Sequence, residues 1–283
     1  MVSYEFLIFT YECSNHSNIK WLKEKIKLQN NLFTNPLEQF EIRDYVTMDM
    51  PILFNTHLSF NNMIEYLLKS FLIIILLNIM TTKVNKILYK YWVLTKEVLY
   101  DTMKSIVISQ INKNEGQIYF PYIYALFMFI LINNLIGLIP YSFATTSHFI
   151  LTFALSFTIV IGSTILGIVL HNVKFLSLFV PKGCPLGLVP LLVLIEFLSY
   201  LARNLSLGLR LAANIFSGHM LLNILCGLTF KIMTTNLFYF FVSLLPLVFI
   251  IAFSALEFGI AFIQAQVFVV LTCSYIKDNI ELH

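Results

Sequence analysis

The sequence predicts an all-α integral membrane protein: about five membrane-crossing helices plus one amphipathic surface helix, with the last two crossings long and tilted. Three observations carry this. Of 283 residues, 58% are hydrophobic and only 12% charged, where soluble domains average about 25% charged, and the mean hydropathy is +0.81. Side chains this apolar leave too little polar surface for a water-facing globule, so lipid is the expected solvent. The apolar residues also gather into runs that cross a hydrocarbon layer of roughly 30 Å at about 1.5 Å per residue. Finally, the charges are segregated. Lys83, Lys86, Lys90, Lys96, Lys104 and Lys113 share one inter-helix segment, whereas Tyr119 to Tyr275 carries only Lys174, Lys182, Glu196, Arg203, Arg210, Lys231 and Glu257. No basic, aromatic-interleaved surface lies outside the spans, which argues against nucleic acid as a partner. Cys13, Cys184, Cys226 and Cys273 are scattered without CxxC spacing and read as small apolar fillers.

Residues 1–34 are polar and mixed, with the basic run WLKEKIK at 21–27. They lack the basic end, apolar run and cleavage site of a secretory signal, and read as either a cleaved leader or a surface extension. The single membrane domain is then 35–283. Its first span is about 62–82, where Glu65 and Lys69 precede FLIIILLNIM. In 83–113 the lysines interleave with Ile87, Leu88, Trp92, Val93, Leu94, Val98, Leu99, Ile106 and Val107, the pattern of a helix lying in the interface. Spans at 118–140 and 148–171 follow, joined by a short loop around Pro140 and Ser142.

The stretches 187–229 and 234–276 are each over 40 residues, roughly 60 Å as a helix and about twice the hydrocarbon thickness. Each is either two spans or one long tilted helix. Gly208, Gly218 and Gly227 stand singly and Pro246 can kink without ending a helix, so the spacing favours two long helices. With five crossings, the lysine-rich segment, the 172–185 loop and Lys277 fall on one side. The positive-inside rule makes that side cytoplasm or matrix. The basic run at 21–27 opposes this orientation unless the extension is removed.

Arg203, Arg210, Glu196 and Glu257 interrupt these apolar runs. A central arginine costs about 2.5–3.5 kcal/mol on insertion scales and therefore faces water or a partner. Glu196, Arg203 and Arg210 recur every seven residues and share a face, which Asn214 extends. A purely structural reading, with Arg203 and Glu196 pairing across two turns, stays open. Arg210 has no acid left on its own helix, and a permanent charge of this kind invites a carboxylate on another chain. His219, nine residues on, falls on the opposite side of the helix and about 13 Å along it, which suits two separate aqueous half-paths. A lone His in an apolar helix also fits a satisfied core residue. Glu257 and Gln264 share a face of the next helix, and Asp278 sits at the lysine-rich end. Carboxylate, imidazole and amide groups exchange or orient protons near neutral pH; a structural carboxylate paired within the bundle is the alternative for Glu257. Ser206, Gly208, Ala212, Ala213, Ser217 and Gly218 let another helix approach Arg210 closely. His148 and His171 sit at span ends, and no haem or metal constellation emerges, so no cofactor is expected.

SLGLRLAANIFSGHMLLNIL at 206–225 and ALEFGIAFIQAQVF at 255–268 resemble the two hallmark segments of subunit a of the F-type ATP synthase, in its mitochondrial form. NPLEQFEI at 35–42, IPYSFATTSHF at 139–149, LFVPKGCPLGLVPLLVLIEFLSYLAR at 178–203 and SYIKDNIELH at 274–283 match in the same order. The resemblance implies that the last two helices form a tilted hairpin against a rotating c-subunit ring, with other membrane-sector and peripheral-stalk subunits as further partners. It places the essential arginine at Arg210. It assigns His219, Glu257, Gln264 and Asn214 to a proton half-channel open to the intermembrane space, and Glu196 and Asp278 to the matrix half-channel. Arg203 matches a second arginine with a structural or tuning role. The implied protein is a non-catalytic stator subunit of the mitochondrial inner membrane, its N-terminus toward the intermembrane space and its C-terminus toward the matrix. Gln266 stands where relatives often carry Tyr, and Ala212 where a larger residue is usual. The competing class, a proton-coupled secondary transporter, would show internal repeats, and the two halves of this chain differ in length, charge and motifs.

Overall fold

The computed structural model describes residues 37–50, 56–82, 90–111, 113–139, 142–172, 175, 186–235 and 237–280. The expected extension at 1–34 lies outside these residues, as do most of the 83–89 and 172–185 connections. Among the described residues the chain is mainly helical, with one small sheet and five helices long and apolar enough to cross a membrane. It is an all-α integral membrane protein.

The sheet was not evident from the sequence. Strands β1 (Asp44–Met50) and β2 (Thr56–Asn61) pair antiparallel, from Asp44 opposite Asn61 to Met50 opposite Thr56, with an irregularity between Asp44 and Val46. The short strands precede the first apolar run, so their alternation lacks a long buried face that would make it conspicuous. Asn62 joins the ribbon to the first helix. Its side-chain oxygen accepts from the Arg43 N–H at 3.3 Å, and its own N–H donates to the Arg43 carbonyl at 3.2 Å.

Helix α1 (Asn62–Thr82) is the first candidate crossing. Helix α2 (Lys90–Ile111) falls in the expected surface-helix segment. It buries Met103, Val107 and Ile111 at four-residue spacing, with Leu99 and Ile106 partly buried beside them, and leaves Lys104, Ser105 and Ile108 exposed. Such a one-sided stripe is the periodicity of an amphipathic helix. Helix α3 (Lys113–Gly137) contributes Ile123, Phe127 and Ile130 to the same core. Helix α4 (Phe149–His171) ends at Asn172, whose φ of 50° is tolerated by asparagine better than by most residues. His171 holds that end, its Nε2 lying 3.0 Å from the Ile280 carbonyl.

Both long stretches form helices without folding back into paired spans. Helix α5 (Val189–Met233) is one helix of 45 residues. Helices α6 (Leu237–Val242) and α7 (Leu244–Ile280) are separated only at Ser243. The break sits where Pro246 requires it: the ring nitrogen has no proton for the Val242 carbonyl four residues back, and the ring crowds that carbonyl.

The chain divides into two compact units, Met1–Glu41 with Met220–Ile250, and Ile42–His219 with Ile251–His283. In the first, a short 3-10 turn at Glu38–Phe40 meets the distal part of α5, where the Asn223 amide donates to Gln39 Oε1 at 3.3 Å. The second holds the main core. There Met103, Phe127, Ile159, Leu207, Leu211, Phe268, Val269 and Tyr275 bring together one face each of α2, α3, α4, α5 and α7.

Candidate functional site

Within the larger unit, α5 and α7 run antiparallel, and three contacts fix their register. Arg203 Nη1 lies 3.4 Å from Asp278 Oδ2, both side chains 41% exposed. About three to four turns along, the Asn214 amide donates to Gln264 Oε1 at 3.2 Å. Beyond that, Gly218 faces Glu257: a Cβ added at Gly218 would fall 2.6 Å from Glu257 Oε1, so the missing side chain makes room for the carboxylate. Residue numbers rise on α5 as they fall on α7, and the candidate side chains occupy successive rungs.

Burial alternates along α5 as one helical face demands. Leu207, Gly208, Leu211, Ala212, Ile215 and His219 point inward, and Ser206, Arg210, Ala213, Asn214 and Ser217 point outward. Helix α4 accounts for Gly208, since a Cβ there would meet Ser156 Oγ at 2.9 Å and the Thr152 carbonyl at 3.2 Å. Arg210 thus stands on an outward face of small and polar side chains. Its Nη2 reaches Ser206 Oγ at 3.5 Å, and among the described residues it forms no ion pair.

The opposite face leads inward. His219 and Glu257 are each 8% exposed. Neither Glu257 oxygen has a hydrogen-bond partner among the described residues, although a buried carboxylate ordinarily needs one. The His219 ring lies under the α3–α4 connection: its Nε2 is 3.9 Å from the place a Cβ on Gly137 would occupy, and that Cβ would touch Ala144 at 3.3 Å. The spacing of nine between Arg210 and His219 therefore becomes one exposed and one buried face. The Arg203–Glu196 pair left open by the sequence is absent. Arg203 takes Asp278, and Glu196 is exposed on α5 without an ion pair among the described residues.

Sequence reasoning passed over the polar residues of α3. The Asn134 amide donates to the Ala261 carbonyl at 3.3 Å, one turn from Glu257, and its own buried Oδ1 has no partner among the described residues. Asn133 accepts from Thr145 Oγ1 at 3.2 Å. The adjacent pair of asparagines in an apolar helix was the available signal, since buried amides in a membrane span need a structural or functional reason. Among the described residues, no group of three or more His, Cys, Asp or Glu side chains is placed to hold a metal ion.

A family profile described as "ATP synthase A chain" matches residues 63–277. The chain is 63% identical over 250 residues to "ATP synthase subunit a" of Podospora anserina, covering 88% of this chain and 95% of that protein. It is 61% identical over 255 residues to the protein of the same name in Emericella nidulans, covering 90% and 99%. With the Candida glabrata protein the identity is 46% over 260 residues, covering 90% and 100%. Both hallmark segments, with the Asn214–Gln264 and Gly218–Glu257 rungs, lie inside residues 63–277, and the chain belongs to the ATP synthase A chain family, subunit a of the membrane sector.

Proposed function

We propose that this chain is the non-catalytic stator subunit of a rotary ATP synthase of the mitochondrial inner membrane. In this reading two offset half-channels bring protons to and from a c-subunit ring that turns past Arg210. The observation that carries it is Arg210 itself, a permanent cation on the outward face of an apolar helix, without a carboxylate of its own among the described residues. A guanidinium so placed attracts a carboxylate on a passing partner, favours its ionised form and bars protons from moving directly between half-channels. The small outward residues beside it allow the close approach of a moving helix.

His219 and Glu257, with Asn214 and Gln264, serve the half-channel toward the intermembrane space. Their support is a buried carboxylate with both oxygens unpartnered among the described residues and an imidazole buried in the same unit. Glu196 and Asp278 serve the matrix side, and Arg203 holds Asp278 in position through their contact. The membrane potential contributes about 2.3 kcal/mol per charge per 100 mV, and a leak past Arg210 dissipates it without rotation. The N-terminus faces the intermembrane space and the C-terminus the matrix, with peripheral-stalk and other membrane-sector subunits as neighbours.

The test is Arg210→Ala in the assembled complex. The expected result is loss of ATP-driven proton pumping, with passive proton flow through the membrane sector retained or raised. Unchanged pumping in a fully assembled complex overturns the mechanism.

A further inference from the structure

Helices α1 and α3 pack together near the N-terminal end of α1 and the C-terminal end of α3, and a groove of about 510 Å³ opens between them. Its size falls in the range of roughly 300–1,000 Å³ typical of small-ligand sites. Tyr66, Lys69, Leu72 and Ile73 line it from α1, and Ile136 and Ile139 from α3 and the residues just beyond it. The polarity is graded. Lys69 lies about 10 Å along α1 from its first residue, within reach of the membrane surface for a snorkelling side chain. Leu72 and Ile73 continue about one turn deeper, and their side chains are 62% and 39% exposed.

The charged lining residue, Lys69, pairs with Glu65, which stands one turn before it on α1 just outside the lining. Lys69 Nζ is 2.6 Å from Glu65 Oε1 and stands 4.5 Å from the centroid of the Tyr66 ring. The Glu65 and Lys69 side chains are 33% and 50% exposed, so the ion pair remains open to a ligand. An ammonium uses at most three donors, and one contact to Glu65 leaves Lys69 able to bind a further oxygen. A lone lysine above an apolar floor would accept any anionic amphiphile. A lysine coupled to a glutamate is close to neutral overall and complements a headgroup that itself carries both charges.

We propose that this groove binds one zwitterionic phospholipid with a primary-ammonium headgroup. Its phosphate sits on Lys69, its ammonium on Glu65, and an acyl chain lies along Leu72, Ile73 and Ile136. The site lies outside the α5–α7 rungs and uses none of the side chains assigned to proton transfer.

The experiment uses the complete ATP synthase complex in membranes supplemented with phosphatidylethanolamine carrying a photoactivatable acyl chain, or with phosphatidylglycerol carrying the same chain. Cross-links are mapped to peptides of α1 and α3. The expected result is preferential labelling by phosphatidylethanolamine, lowered several-fold by Lys69→Gln, with Glu65→Gln shifting the preference toward phosphatidylglycerol. Leu72→Trp fills the floor while keeping both charges, so it is expected to lower labelling by both lipids and covers the case in which a charge variant fails to assemble. Equal labelling by the two lipids in the native complex, labelling unchanged in Lys69→Gln, or an unlabelled groove that cross-links to a protein subunit overturns the proposal.

Discussion

The clearest residue-scale constraint is the contact between Gly218 and Glu257. The carboxylate is buried, neither oxygen has a partner among the described residues, and it lies where any side chain at position 218 would begin. Gly218→Ala must therefore move the carboxylate, whereas Gly162→Ala meets nothing within 4 Å. Displacing a reacting group by about 1 Å can cost on the order of a hundredfold in rate. We expect Gly218→Ala to lower coupled ATP synthesis by roughly tenfold or more at matched assembly and Gly162→Ala to leave it unchanged. Equal rates in the two variants would show that the position of Glu257 is not limiting. Arg203 and Asp278 lend themselves to a charge exchange. Arg203→Asp alone sets two carboxylates against each other, and adding Asp278→Arg restores the attraction with reversed polarity. Assembly, read on native gels, should fall in the single variant and recover in the double. Failure to recover would mean the two side chains act independently.

Among the elements, α5 depends on how closely it approaches α4. A methyl group at Gly208 would already sit 2.9 Å from Ser156 Oγ and 3.2 Å from a backbone carbonyl, and over-packing of this kind costs about 1–3 kcal/mol. Gly208→Val should reduce assembled complex, while Gly187→Ala, with open space around it, should not. The α6–α7 break tests the proline account from the other direction. Pro246→Ala restores one backbone donor toward Val242, and a hydrogen bond contributes about 1 kcal/mol net. Amide exchange around Ser243 should slow by about fivefold, the equilibrium equivalent of that energy. No change in exchange would mean the interruption is held by packing and not by the missing proton.

For the whole molecule, the distribution of charge governs orientation. In the proposed topology the five crossing-competent helices leave the two ends of the membrane domain on opposite sides of the bilayer, with the lysine-rich segments on the matrix side. Single cysteines placed at Ile139, which is 57% exposed at the end of α3, and at the exposed Thr234–Thr235 turn should react with an impermeant thiol reagent from the intermembrane space. A cysteine at Lys104 should react only from the matrix. The opposite pattern would reverse the proposed orientation and exchange the two half-channels.

The membrane solvent, the number of apolar helices and the candidate polar residues were legible before any fold was known. Those features rest on composition, run length and spacing, which a linear chain states directly. Seven-residue spacing grouped Glu196, Arg203 and Arg210, and nine-residue spacing set His219 apart, because helical geometry fixes the direction of a side chain once the helix is known. Sequence matching supplied the family where spacing left roles open. The partners came from the packed fold: Arg203 meets Asp278 and not Glu196, Gly218 leaves room for Glu257, Asn134 reaches Ala261, and a groove carrying Lys69 opens between α1 and α3. These are contacts between helices distant in sequence. Periodicity assigns each helix its inward face, but only the packing of all the helices assigns that face its neighbour.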